Sequence, residues 1–157
     1  MEAKTKDGNT IKTADENFLG FYPALADIKE TVVPQQVRKG YIEGIDERYI
    51  ILSAARSETN PVGCVIGGWL QSGESIIMKR SQMIWQRELK KEGLLKYVRP
   101  VNFVHDEFIT EVYGDKDMAE RVAEVQAASI TEAGELYGLK CPMLGTKAIG
   151  RNWLEVH

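Results

Sequence analysis

The order of elements along this chain predicts an α+β fold. Two stretches, residues 40–52 and 98–112, carry a hairpin pattern, and a long helix-forming stretch, 62–91, separates them. A second helical stretch, from about 115 to 137, follows the later hairpin. With 157 residues the chain lies in the size range of one compact domain. Folding at this length buries roughly 70% of the surface the unfolded chain exposes, so a real core can form.

Residues 1–14 are polar, glycine-containing and aperiodic, which predicts a flexible lead-in; the folded part is expected over 15–157. Asp15 can cap a helix carrying Phe18, Leu19, Phe21 and Tyr22, with Pro23 breaking or restarting it. From Ala24 a second helical stretch places Leu25, Ile28, Val32 and Val33 on one face, and Pro34 is expected to interrupt it. At Gly40 the pattern changes: Tyr41 and Ile42 lead to a turn around Gly44 to Glu47, and Tyr49 to Leu52 form a β-rich return. Residues 53–61 read as a polar loop with Pro61 suited to a helix start.

In the long helix, Val65, Ile66, Trp69, Leu70, Ile76, Ile77, Met83, Ile84 and Leu89 supply a broad apolar face. Gly63, Gly67, Gly68 and Gly73 are unusual there, each costing up to about 1 kcal/mol relative to Ala. Gly93 stops the helix. The runs VNFV and FITEV then flank His105, Asp106 and Glu107, which predicts a hairpin with HDE at its tip. The next helix starts at Asp115 or Asp117, carries Met118, Val122, Val125 and Ile130 roughly on one side, and ends at Gly138. Lys140 to Leu144 reads as a final strand before the tail GTKAIGRNWLEVH.

The net charge is −3 and the pI about 5.5. A stand-alone nucleic-acid binder is usually basic, because phosphate contact supplies much of its affinity, so the balance leans against a free module of that kind. A piece of a larger enzyme is less constrained. Cys64 and Cys141 have no CxxC or Cys/His spacing and read as reduced, buried thiols. The longest apolar run, Pro61 to Leu70, falls short of the roughly 18 residues a membrane span needs. The N-terminus has no apolar signal region. No membrane partner is expected, and the location expected is the cytoplasm.

The HDE tip is the sharpest chemical feature. Adjacent acids on a strand point to opposite faces, so both serve one site only at a turn. A carboxylate there suits a hard divalent ion such as Mg2+, held in place by the apolar flanks. A solvated turn is the competing reading, since Asp is common in turns. A nuclease built on Asp106, Glu107 and Glu111 is a weaker reading, because no third ligand or base is evident.

VNFVHDEFITEV closely resembles motif C of the family A (DNA polymerase I-like) DNA polymerases, an apolar strand, then VHDE, then an apolar strand. FYPALADIKETVVPQQVRKGYIEGIDERYIIL resembles the stretch that follows the fingers in that family, and WLQSGESIIMKRSQMIW resembles the helix preceding motif C. GRNWLEVH resembles the family's C-terminus, and the only two histidines, His105 and His157, fall on motif positions. The resemblance covers about residues 15–157 and points to the C-terminal palm segment of such an enzyme, phage-type or split. It implies a small antiparallel palm sheet carrying the HDE hairpin, backed by helices, with an edge left open where the motif A strand would pair. It implies that Asp106 holds the catalytic Mg2+ pair, Glu107 supports the site, and His105 packs at the primer terminus. Gln71, followed by the small Ser72, would contact the primer-template minor groove.

The departures are as informative. The family commonly has Asn where this chain has Gly67. The loop SAARSETN differs in length, so Arg56 is a loose candidate for a phosphate contact. Lys79 and Arg80 could also meet backbone phosphate, or form a solvated helix face. No DYSQIE-like motif A and no RxxxKxxxFGxxYG-like fingers run occur in the chain. Two-metal transfer needs carboxylates from both strands, so these residues supply half a site. Primer-template DNA, dNTP and a complementary polymerase polypeptide with thumb, fingers and motif A are therefore the expected partners. The chain alone should be inactive and expose an apolar docking surface. The alternative is a non-catalytic, polymerase-derived DNA-binding or assembly subunit, which the acidic pI and Gly67 favour mildly.

Overall fold

A computed structural model describes residues 14–52 and 61–156. The lead-in over residues 1–13, the loop 53–60 with Arg56, and His157 lie outside the described residues. The fold is mixed helix and strand, with two small antiparallel sheets backed by helices. It divides into two units: described residues up to Ile42 with Tyr49–Trp69, and Glu43–Arg48 with Leu70 onward.

In the first unit, α1 (Ala14–Phe21) is followed by α2 (Pro23–Asp27), a π turn (Ile28–Val32) and α3 (Val33–Lys39). Pro23 restarts the helix, as the sequence allows. Pro34, by contrast, does not interrupt it. Proline removes one i→i−4 donor and crowds the preceding turn, and the π turn directly before it widens the helix where that clash would fall. β1 (Tyr41–Glu43) and β2 (Tyr49–Ile51) form the expected first hairpin. Val33, Leu52 and Val65 make this unit's core, with Ile28, Val37 and Ile42 packed against them.

α4 (Pro61–Lys91) contributes Val65 to that core and its later turns to the second unit. Among its later residues Ile76, Ile77, Met78, Ile84, Trp85 and Leu89 are buried, whereas Leu70 and Met83, expected on the apolar face, are exposed. Gly93, at φ 71, lets the chain turn back: Leu94 N–H donates to Leu89 O at 2.8 Å, a six-residue closure that only a left-handed residue permits cheaply.

A short 3-10 turn (Leu95–Tyr97) leads into β3 (Val98–Val104), paired antiparallel with β4 (Glu107–Val112). α5 (Lys116–Leu136) begins at an Asp115 cap, whose carboxylate accepts from Met118 N–H at 2.9 Å. Trp85, Leu89, Val122 and Val125 form one core cluster between α4 and α5. Ile77, Ile84 and Ala133 form another, with Ile45 and Met143 against it.

Lys140–Leu144 is not a strand. One of its carbonyls is taken by α5 instead, Thr131 Oγ1 donating to Met143 O at 2.7 Å, and a Cβ on Gly145 would lie 2.8 Å from Ala127 Cα. Lys147 then reaches Glu120 at 2.9 Å, and a short α6 (Trp153–Val156) closes the described chain. Arg121 pairs with Glu92 at 2.6 Å and Arg87 with Glu132 at 2.8 Å. These cations hold nearby carboxyls below their usual range: Lys91 and then Arg87 act on Glu88, Arg121 on Glu92, and Lys147 on Glu120. Cys64 and Cys141 are free, and both are exposed rather than buried. Among the described residues no helix is long and apolar enough to cross a membrane.

Candidate functional site at the β3–β4 hairpin

The hairpin register runs from Val98↔Val112 to Val104↔Glu107, with a bulge at Val101 between Pro100 and Asn102. A proline in a strand needs an edge or a bulge, because it cannot donate to a ladder, and Pro100 has both. Pairing of Val104 with Glu107 leaves a loop of His105 and Asp106 alone. Glu107, expected at the tip, is therefore the first residue of β4, half-buried, while His105 and Asp106 are exposed.

Two-residue hairpin loops favour turns whose first central residue has positive φ, a place usually taken by glycine. Here His105 occupies it at φ 52. Non-glycine residues in that region carry strain, and such strain concentrates at functional positions. Asp106 follows with its carboxylate in solvent, and among the described residues it has no ion-pair partner. That matters for the metal reading, because an internal lysine or arginine would have given the carboxylate a structural job.

Below the tip the hairpin is held by rings. Phe103 and Phe108, cross-strand partners, stack with centroids 5.2 Å apart, and Phe108 meets the edge of Trp85 at 6.2 Å. Thr110 Oγ1 lies 3.4 Å from Gln126 Oε1 on α5. The role of Trp85 is not legible in the sequence, where the apolar face named for the long helix does not include it.

The other predicted residues lie along α4. Gln71 is exposed and Ser72 half-buried, two turns before the exposed Lys79 and Arg80. Lys79 and Arg80 have no ion pair among the described residues, and the Arg80 guanidinium lies 6.0 Å from the Tyr137 ring centre. The structure thus brings His105, Asp106 and Glu107 together by sequence adjacency, while Gln71, Ser72, Lys79 and Arg80 lie on a separate element, with Gln71 and Arg80 on opposite sides of α4. Arg56 lies outside the described residues.

As a metal site the donor set is partial. Among the described residues no group of three or more His, Cys, Asp or Glu side chains could hold an ion. Mg2+ is nevertheless often bound through one or two carboxylates together with substrate phosphates and water. An exposed, unpaired Asp106 fits as one such carboxylate in a shared site.

No family model matches the chain. Over 140 residues, 89% of its length, it is 23% identical to a DNA-directed DNA polymerase of Escherichia phage Phieco32 and 24% identical to DNA polymerase I of Aquifex aeolicus (strain VF5). It spans 22% and 23% of those two proteins. Among solved structures, the POL domain of Pol1 from M. smegmatis, in complex with DNA primer-template and dNTP, aligns with a TM-score of 0.62 at 19% identity. That alignment covers 76% of this chain and 21% of the other. The fold is thus that of part of a polymerase domain, and the motif blocks and both curated matches agree that this chain is a segment related to the family A, DNA polymerase I-like polymerases.

Proposed function

We propose that this chain is the C-terminal palm part of a DNA-directed DNA polymerase, supplying one metal-binding carboxylate and primer-template contacts for nucleotidyl transfer. The observation that carries this is Asp106: solvent-exposed, without an ion-pair partner among the described residues, and set in a strained two-residue turn braced from below. Thumb, fingers and the motif A carboxylate would come from a complementary polymerase polypeptide. Val101, Phe103 and Val104 on β3 are exposed apolar groups suited to its docking.

In that assembly Asp106 presents its oxygens to Mg2+ beside the primer end. When bound, Mg2+ supplies charge neutralisation on the triphosphate and activation of the attacking oxygen. Glu107, next in sequence and rooted in β4, steadies the turn and adds negative potential. His105 projects from the same turn and packs against the primer terminus. Gln71 and Ser72 face the minor groove of primer-template, while Lys79 and Arg80 contact backbone phosphate, which positions DNA without reading its sequence. Arg56 is a further phosphate-contact candidate. Soluble replication in the cytoplasm, that of the host for a phage protein, completes the proposal.

The test combines the chain with a polymerase fragment containing thumb, fingers and motif A and measures primer extension with Mg2+ and dNTPs. Extension is expected from the pair, and Asp106→Ala should lower it by about two to three orders of magnitude, the scale of losing one preorganised electrostatic group. Identical behaviour of wild type and Asp106→Ala would refute the catalytic reading. Retained DNA binding by both would then favour a non-catalytic, polymerase-derived DNA-binding or assembly subunit, the reading that the net charge of −3 and Gly67 support.

A further inference from the structure

We propose that Trp85 is a positioning residue for Asp106, acting through Phe108 and Phe103; this rests on the polymerase function proposed above. β3 is exposed from Arg99 to Val104, and both loop residues are exposed. The orientation of the tip is therefore passed to it from the side that faces α4. There a chain of three rings leads to it. Trp85 is 1% exposed and fixed among Leu89, Val122 and Val125. Its ring meets Phe108 at 65° with centroids 6.2 Å apart, and Phe108 stacks on Phe103 at 5.2 Å. One further cross-strand pair, Val104↔Glu107, separates those phenylalanines from the loop.

Two observations make the indole a setting device rather than filler. Although Val98, Phe108 and Val112 pack on the cluster around Trp85, a groove of about 250 Å3 lies beside the ring chain, lined by Gln82, Trp85, Val101, Phe103, Phe108 and Thr110. A shorter side chain at position 85 enlarges that space, and the hairpin can settle into it. A shift at Phe108 is then carried to the loop along strands that rise about 3.3 Å per residue. Second, Trp85 Nε1 is buried with no hydrogen-bond partner among the described residues. The indole thus acts through its aromatic contact with Phe108, and phenylalanine keeps a ring there without breaking a hydrogen bond.

The experiment uses the full chain as wild type, Trp85→Phe, Trp85→Leu and Phe108→Leu. Amide resonances of His105, Asp106 and Glu107 are compared by NMR, with those of α5 as the check that the fold is kept. Each variant is also assayed in primer extension with the complementary fragment. The tip amides should move in both leucine variants and hold their places in Trp85→Phe. In the assay Trp85→Leu should lower kcat by about tenfold or more and raise the Mg2+ concentration for half-maximal rate, with KM for dNTP unchanged. Trp85→Phe should restore kcat to within about twofold. Unmoved tip amides in a folded Trp85→Leu or Phe108→Leu chain overturn the proposal, as does a phenylalanine variant as impaired as the leucine one. If wild type gives no extension, the polymerase reading has failed, and the tip amides alone still decide whether Trp85 sets the turn.

Discussion

His105 offers a direct measure of strain kept at the tip. Its φ of 52 lies in the left-handed region, which costs an L-residue about 1–2 kcal/mol, less for His than for most. Glycine avoids that cost but loses about 0.5–1 kcal/mol more backbone entropy on folding. His105→Gly should therefore be at least as stable as wild type. His105→Ala keeps the strain, removes the ring, and should be less stable than His105→Gly by about 1 kcal/mol. In a chain of this length that difference corresponds to roughly 2–4 °C in Tm. Urea unfolding followed by indole fluorescence reads it, because Trp85 is buried. Glu47, at φ 66 in the β1–β2 turn, is the control: Glu47→Gly should give a comparable gain without touching the tip. Primer extension by the complemented enzyme should fall alike in His105→Gly and His105→Ala, because both lose the imidazole. An Ala variant as stable as the Gly variant would refute the strain argument, whatever the activity shows.

Gly67→Ala and Gly68→Ala should each stabilise the chain by about 1 kcal/mol, since an added Cβ meets nothing within 4 Å at either position. Urea midpoints measure this, and a loss of stability would mean that the α4 backbone there is not helical in solution. The pH dependence follows from Glu88, Glu92 and Glu120, whose folded-state pKa values lie below the ordinary 4.5 because of Lys91 and Arg87, Arg121, and Lys147 respectively. The unfolded chain takes up these protons first, so the stabilisation is full above the ordinary value and is lost as pH falls through the lower folded values. Stability should decline below about pH 4.5, less steeply in Lys147→Met, and high salt should shrink the difference because the pairs are exposed. A decline of equal slope in Lys147→Met would contradict the assigned cause.

What the sequence made legible was whatever its neighbours in the chain determine. The two hairpins, α4 and the stop at Gly93 follow from period, glycine and local capping, and the tip was readable because His105, Asp106 and Glu107 are consecutive. The failures share an opposite cause. Lys140–Leu144 has strand-like composition, yet Met143 O accepts from the Thr131 side chain on α5, a contact distant in sequence. Pro34 carries a break signal that a π turn absorbs. Leu70 and Met83 match the helical period but lie on the solvent side of α4. Trp85 was not among the apolar positions named for the long helix, although its ring meets Phe108 of the hairpin. The same distinction bears on the candidate site. An exposed carboxylate needs no partner for the chain to fold, so Asp106 can wait in solvent at little cost. On the proposed function, metal affinity there would arise from ligands that folding of these residues does not bring near. Those ligands are to be sought where Val101, Phe103 and Val104 leave β3 uncovered, beside the turn that Asp106 occupies.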